Sequence, residues 1–264
     1  MASADAELRQ SGYCVVEGVL SSDKAAVLAS HIDEIAHYEQ KVGSAWYSHS
    51  NQRVYMLLNK GEIFRELINN QVALALARSI LGTHCLLSSI TANIAVPGNH
   101  AQPLHADQDY MATPWTHSEV CNIAFLLDDF TADNGATVVV PGSHIMGTPP
   151  PSEDALSTVS ITAPRGSLIC LDGRVWHGTG KNSTSAEPRR AIFCYFCKPY
   201  IRQQENITRS LLPEIRERLT PAERQLLGFD IWMALGAVNG LPPAWMDGRE
   251  RIGPGLDEKL VWPR

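Results

Sequence analysis

The spacing of apolar residues predicts helices in the first part of the chain. Apolar positions recur every three or four residues across 22–41 and again across 63–81, which is the period of an amphipathic helix. Asn69-Asn70 is expected to interrupt the second helix, and Gly82 to end it. The segment 46–60 is aromatic and polar without a clean period, so we expect a loop that covers another part of the molecule.

From residue 86 the pattern changes to short apolar or alternating runs separated by Gly, Pro, Asn and Asp. Such runs, bounded by turn residues, predict strands. They lie at 86–96, 104–107, 120–127, 136–140, 158–163, 167–171, 175–177 and 190–197, after an earlier run at 13–19. Many short strands at close intervals predict a β-sandwich or a jelly-roll barrel.

A chain of 264 residues, 44% of them hydrophobic, can bury one sizeable core. We therefore expect a single domain over 1–264, with a helical N-terminal part at about 1–85 and a jelly-roll core at about 86–200. The remainder, about 201–264, is expected to be helical and then to wrap around the core. Thr220 to Glu223 has the pattern of a capping box with proline at the first helical position.

The net charge of −6 and the lack of a basic run argue against nucleic acid or an anionic membrane surface as a partner. No apolar run approaches the length needed to cross a bilayer, and the N-terminus lacks the features of a secretory signal. We expect a cytoplasmic protein that binds a small molecule. The oligomeric state is left open, with a homodimer as one alternative.

His105 and Asp107 form the most suggestive pair in the chain. On an extended segment, residues two apart share a face, so the imidazole and the carboxylate would point the same way. This pair suits a divalent transition metal, and one more histidine would complete the ligand set of non-heme Fe(II) oxygenases. A hydrogen-bonded pair without metal is the alternative.

His177 is the best candidate for that third ligand, because it ends a predicted strand and is followed at once by Gly178. A jelly roll brings sequence-distant strands together, so a residue far downstream can close the site. His144 follows a turn and is expected to hold loop backbone. The histidines before the predicted barrel are expected to face solvent; they are His31, His37 and His49.

Taken in order, several motifs resemble the phytanoyl-CoA dioxygenase family of Fe(II)- and 2-oxoglutarate-dependent oxygenases. They are His105-x-Asp107, Asp133-Asn-Gly-Ala-Thr137, Val139-Val-Pro-Gly-Ser-His144, Arg165-Gly-Ser-Leu168, His177-Gly-Thr-Gly-Lys-Asn182 and Pro188-Arg-Arg190. The resemblance covers about 13–199. It implies a mainly β fold with flanking helices and a double-stranded β-helix core of the jelly-roll, cupin-like kind.

The resemblance implies that His105, Asp107 and His177 bind iron, and that an arginine after the second histidine binds the distal carboxylate of 2-oxoglutarate. A guanidinium suits this role because it can grip a carboxylate through two parallel hydrogen bonds. Arg189 and Arg190 compete for it and face opposite sides of their strand. We favour Arg189, which aligns better with the family position.

Other polar residues resemble family positions that hydrogen-bond the co-substrate; these are Gln102, Thr137, Thr179 and Asn93. The alternative for each is a structural hydrogen bond in a turn or strand. Large side chains in loops near the expected mouth either pack or contact substrate; these are Trp46, Tyr47, Tyr55, Tyr110, Met111 and Trp115.

The implied reaction consumes O2 and 2-oxoglutarate, releases succinate and CO2, and oxidises a substrate by hydroxylation, desaturation or related C–H oxidation. Related halogenases have a small residue at the position of Asp107, so the carboxylate favours oxidation over halogenation. The aromatic loops and the lack of a charged patch favour a mid-sized, largely apolar small molecule in natural-product biosynthesis, and the acidic chain disfavours an acyl-CoA, whose phosphates would need a basic rim. The alternatives are an acyl-CoA 2-hydroxylase of the phytanoyl type, a catalytically silent jelly-roll binding protein, and a zinc hydrolase.

Overall fold

The computed structural model describes residues 2–151, 156–233 and 235–237. The strands in this part of the chain are β1 Tyr13–Val16, β2 Trp46–Ser48, β3 Asn51–Val54, β4 Leu86–Ala95, β5 Val120–Leu126, β6 Thr137–Val139, β7 Val159–Ser160, β8 Leu168–Asp172, β9 His177–Thr179 and β10 Arg189–Cys197. The α-helices are α1 Ala2–Ser11, α2 Ser22–Lys41, α3 Glu62–Ile68, α4 Gln71–Leu81, α5 Ile207–Ser210, α6 Pro213–Arg216 and α7 Pro221–Leu226.

Two antiparallel sheets form the core of the fold. The major sheet has seven strands in the order β1-β8-β5-β10-β4-β3-β2, and the minor sheet has three in the order β7-β6-β9. Strands distant in sequence are neighbours in space, as the predicted jelly roll requires. The predicted fold class, a mainly β protein with a double-stranded β-helix core and flanking helices, is confirmed.

Strand β10 lies in the middle of the major sheet, paired with β5 and β4. Its alternate residues pack in two different apolar clusters. Ile192, Cys194 and Phe196 pack in the large apolar cluster with the helices, whereas Ala191 and Phe193 pack in the smaller cluster with residues of the minor sheet. This alternation places Arg189 on the inner face of the major sheet, toward the minor sheet.

The helices begin where the sequence offers caps. Ser21 accepts a hydrogen bond from the Lys24 amide at the start of α2, and Asn70 accepts from two amides at the start of α4. The second predicted helix is therefore two helices, as expected, since Asn70 caps a new one. In α7, Thr220 and Glu223 form the predicted capping box.

The expectation of a loop over 46–60 is wrong, because this segment contains the hairpin β2–β3, which extends the major sheet beyond β4. His49 and Ser50 connect the two strands, and both have positive φ. A two-residue turn of this kind usually contains asparagine or glycine. Without those residues, the sequence did not show the turn.

The predicted strand 104–107 is also wrong as a strand. It is reduced to one antiparallel bridge between His105 and His177, followed by a turn that begins at Asp107. Pro103 lacks an amide hydrogen and cannot donate to a ladder. The strand expected at 158–163 shortens to two residues, and the strand expected at 175–177 lies at His177–Thr179.

None of the helices in the described part of the chain is long and apolar enough to cross a bilayer. Most of the C-terminal segment that was expected to wrap around the core, from residue 238 onward, lies outside the described residues. That the whole of 1–264 is one domain stays a prediction.

Candidate metal and co-substrate site

The structure brings His105, Asp107 and His177 together. One ligating atom from each lies within 4.8 Å of the others. His105 and His177 exchange two backbone hydrogen bonds, which sets their rings side by side. Nε2 of His105 is 3.9 Å from Oδ1 of Asp107, and Nε2 of His177 is 3.7 Å from Oδ2. These distances are too long for hydrogen bonds and leave room for a cation.

Both imidazoles are oriented by backbone carbonyls. Nδ1 of His105 lies 3.2 Å from the carbonyl oxygen of Pro103, and Nδ1 of His177 lies 3.0 Å from that of Val175. Each carbonyl engages Nδ1, which leaves Nε2 of each ring as the nitrogen available to a metal. Burial lowers the pKa of His177, with a smaller lowering by His105, although Asp107 raises it. A neutral ring is the form that binds a metal.

Arg189 is wholly buried on the inner face of β10. Its Nε and Nη2 donate to the carbonyl oxygen of Gly135, at 3.0 and 2.7 Å, and its guanidinium carbon lies 4.7 Å from the centre of the Phe130 ring. Among the described residues, Nη1 has no partner. Burial lowers the pKa of Arg189 to about 9, aided by the charge of Arg53. A buried guanidinium with a spare donor fits an incoming carboxylate.

Arg190 is engaged elsewhere. It bonds both oxygens of Asp128 and also contacts Asp33, on the helix-facing side of the major sheet. Hydrogen bonds and charges from these two acids outweigh burial and raise its pKa. The two adjacent arginines therefore have different surroundings, and only Arg189 has an unsatisfied donor.

A cavity of about 160 Å³ opens beside the triad and is lined by Gln102, Thr137 and Thr179. Thr137 and Thr179 lie opposite each other on β6 and β9. The side chain of Gln102 accepts from the amide of Thr179 at 3.4 Å. Asn93, on β4, donates to the Thr179 hydroxyl at 3.2 Å, and its own buried oxygen has no partner in the described part of the chain. The four predicted polar residues are thus near one another.

Arg53 is a cavity residue that the sequence interpretation missed, since it lies in the segment expected to be a loop. It comes from β3, and its guanidinium carbon lies 5.9 Å from the centre of the Phe193 ring. Burial lowers its pKa, although Tyr55 and Asp107 raise it. The cavity therefore has a positive group facing the triad.

The sequence interpretation also missed Asn122 and Tyr195 as site residues, because each lies at an ordinary position in a predicted strand. Asn122 donates to Oδ2 of Asp107 at 3.0 Å, and the Tyr195 hydroxyl donates to the backbone carbonyl of Asp107 at 2.6 Å. Both residues also line the cavity.

Of the large loop side chains expected at the mouth, only Tyr55 lines the cavity. Trp46 is exposed and meets Tyr55 edge to face, with ring centres 5.5 Å apart. Tyr47 and Tyr110 are exposed, whereas Trp115 is buried beside Met111. Packing is thus the role of Trp115.

The other histidines lie outside the triad. His144 is buried, and its Nε2 lies 3.1 Å from the carbonyl oxygen of Arg9, so it contacts the backbone of helix α1 and not, as expected, that of a loop. His37 and His49 are exposed, and His31 is half-buried with its ring on the Val27 carbonyl.

The donor set fits the groups that the resemblance implies. Two imidazoles and one carboxylate on one side of a cavity match a divalent iron that keeps open positions. The spare donor of Arg189 and the positive charge of Arg53 match a dicarboxylate such as 2-oxoglutarate.

Comparisons with known proteins point the same way. Residues 8–191 match the family described as phytanoyl-CoA dioxygenase (PhyH). Dioxygenase af480 of Aspergillus fumigatus is 33% identical over 238 residues, which cover 86% of this chain and 76% of the relative. Dioxygenase FrzG of a Cladobotryum species is 27% identical, covering 95% of this chain and 92% of the relative.

The fold resembles that of HygX from Streptomyces hygroscopicus, crystallised with nickel, 2-oxoglutarate and hygromycin B. The TM-score is 0.64 at 15% identity, covering 78% of this chain and 90% of HygX. With the family match spanning most of the chain and a curated dioxygenase one-third identical to it, the protein belongs to the phytanoyl-CoA dioxygenase family of Fe(II)- and 2-oxoglutarate-dependent oxygenases.

Proposed function

We propose that this Fe(II)- and 2-oxoglutarate-dependent dioxygenase oxidises a C–H bond of a mid-sized small molecule, as a tailoring step in natural-product biosynthesis. In this proposal His105, Asp107 and His177 hold the iron. The observation that carries it is the convergence of their donor atoms within 4.8 Å, with both Nε2 atoms free to bind a metal.

Arg189 would bind the distal carboxylate of 2-oxoglutarate, because its buried Nη1 lacks a partner among the described residues. Arg53 would balance charge at the other carboxylate, nearer the triad. The hydroxyls of Thr137 and Thr179 and the amides of Gln102 and Asn93 would complete the hydrogen bonds. Bound Fe(II) and 2-oxoglutarate supply the oxidation, which consumes O2 and yields succinate and CO2.

The substrate would lie in the outer part of the cavity. Among the residues that line the cavity, Tyr55 and Phe193 offer apolar contact, and Thr91 and Gln204 offer hydrogen bonds. We therefore propose a largely apolar molecule that bears polar groups. The hygromycin B bound in the HygX crystal supports a tailoring role by fold likeness alone.

The first experiment adds Fe(II) and then 2-oxoglutarate, without oxygen, to metal-free protein. We expect a visible charge-transfer band in the wild type that is lost in His105→Ala, Asp107→Ala and His177→Ala. A wild-type protein without the band would refute the proposal. Arg190→Ala is a matched control, since its side chain lies on the other face of β10 and the band should persist.

Substrate assays separate the remaining alternatives. Turnover of a phytanoyl-type thioester, with none on polycyclic or terpenoid compounds, would favour an acyl-CoA 2-hydroxylase. A protein that forms the band but never releases succinate, with or without candidate substrates, would be a silent binding protein. The cytoplasmic location and the open choice of a homodimer stay predictions.

A further inference from the structure

Asp107 is held differently from the two histidines beside it. His177 begins β9, and His105 is tied to it by two backbone hydrogen bonds. Asp107 lies at the start of a turn, outside any strand. Since no ladder fixes its backbone, its carboxylate needs other contacts to keep one orientation.

The major sheet supplies these contacts. Asn122 on β5 and Tyr195 on β10 are paired directly across the two strands. Asn122 donates to Oδ2 of Asp107, and Tyr195 donates to the backbone carbonyl of the same residue. One partner thus holds the side chain of Asp107 and the other holds its main chain.

The orientation of the Asn122 amide supports a specific role. Its nitrogen must face Asp107, since an amide oxygen there would face a carboxylate oxygen. Its own oxygen is buried and has no partner in the described part of the chain. Leaving a buried acceptor unsatisfied costs free energy. The side chain is therefore arranged for Asp107 at the expense of its own hydrogen bonding.

The hydrogen bond from Asn122 makes the two carboxylate oxygens of Asp107 different from each other. Oδ2 accepts from Asn122, whereas Oδ1 has no hydrogen-bond donor among the described side chains. An oxygen that already accepts a hydrogen bond from an amide is a weaker ligand for a metal cation, so the arrangement favours ligation through Oδ1 alone. A carboxylate that uses one oxygen leaves more positions on the metal for co-substrate and O2.

We propose that Asn122 and Tyr195 are positioning residues that hold Asp107 as a one-oxygen metal ligand. This inference rests on the proposed function, since it takes the triad as the iron site. It assigns to Asn122 and Tyr195, which line the cavity, a role in metal binding.

A metal-binding experiment tests the positioning role of Asn122 and Tyr195 without turnover. Mn(II) is titrated into metal-free protein, and the free aquo ion is counted by electron paramagnetic resonance. We expect Asn122→Leu, which removes the donor at similar volume, to weaken Mn(II) binding about tenfold or more. Tyr195→Phe should weaken it several-fold, and the anaerobic Fe(II)–2-oxoglutarate band should shift in both variants.

Two matched controls lie away from the triad. Asn59 is half-buried like Asn122, and among the described residues its side chain bonds only backbone atoms of Ser210 and Leu212. The hydroxyl of Tyr200 donates to Glu119. Asn59→Leu and Tyr200→Phe should bind Mn(II) within twofold of the wild type, with the same band.

The outcomes separate the two proposals. A wild type that binds no Mn(II) would refute the proposed iron site itself. Wild-type affinity in both Asn122→Leu and Tyr195→Phe, with an intact site, would overturn the positioning role alone. Melting of each metal-free variant is measured first, and if Asn122→Leu is unfolded, Tyr195→Phe, which removes a single oxygen atom, decides the question.

Discussion

At the scale of single residues, Arg189 and Arg190 show how strand phase separates two identical side chains. Arg189 is buried against Gly135 with a spare donor, whereas Arg190 is paired with Asp128 and Asp33. We expect Arg189→Ala to raise the KM for 2-oxoglutarate about 30-fold or more, since a lost charged hydrogen bond costs about 2 kcal/mol. The KM for 2-oxoglutarate is measured from steady-state succinate release.

Arg190→Ala is the control, and its effect should fall on stability. Asp128 would lose most of its pairing, so the free energy of unfolding should drop by about 2 kcal/mol with little change in the KM. Arg189→Lys should bind 2-oxoglutarate better than Arg189→Ala but more weakly than the wild type, because a lysine offers a point charge instead of two parallel hydrogen bonds. A larger KM effect for Arg190→Ala than for Arg189→Ala would exclude Arg189 from the role.

At the scale of elements, Glu223 joins α7 to α3. Its carboxylate is buried and accepts from Arg65, Asn69 and the start of its own helix. Burial alone would raise its pKa, but these hydrogen bonds, chiefly from Arg65, lower the pKa to about 2. Since the folded pKa lies below the ordinary value of 4.5, the contribution to stability is complete above that value and is lost as the pH falls toward 2.

Glu223→Gln should therefore lower the free energy of unfolding by about 2 kcal/mol at neutral pH. The difference in free energy of unfolding between this variant and the wild type should narrow as the pH falls below about 4.5, as measured by urea unfolding across that range. Glu62→Gln is the matched control, because exposed Glu62 contacts the same Arg65 and its removal should cost under about 1 kcal/mol. A pH-independent gap for Glu223→Gln would contradict the assignment.

At the scale of the whole molecule, the proposed metal and co-substrate would tie the two sheets together. His177 and Thr137 come from the minor sheet, and Arg189 comes from the major sheet. A ligand that binds only the folded state adds about 2.7 kcal/mol at a hundred times its Kd. For a chain of this size we expect Mn(II) with 2-oxoglutarate to raise the melting temperature by about 5 to 10 °C.

Differential scanning fluorimetry checks this, with each ligand alone and with both. Asp107→Ala should show no Mn(II)-dependent rise, and Arg189→Ala should lose the increment due to 2-oxoglutarate. An equal rise in Asp107→Ala would mean that Mn(II) stabilises the protein from another place.

Local patterns carried most of the fold prediction. The helix breaks at Asn70 and the capping box at Thr220 were readable because a cap acts within three or four residues. The hairpin at Trp46–Val54 was missed because His49 and Ser50 adopt positive φ without the usual turn residues. Its partner is β4, more than thirty residues away, and no local period reports such a pairing.

The residues of the site also fall into those that the sequence predicts and those that only the structure identifies. His105, Asp107, His177 and Arg189 stand in motifs whose order can be read along the chain, so the sequence by itself determined the candidate ligands and the likeness to the family. Arg53, Asn122 and Tyr195 stand in strands that resemble any other strand. Only the tertiary structure decided that they meet the triad, because contacts between β3, β5, β10 and the Asp107 turn depend on how the two sheets pack, and packing leaves no period in the sequence.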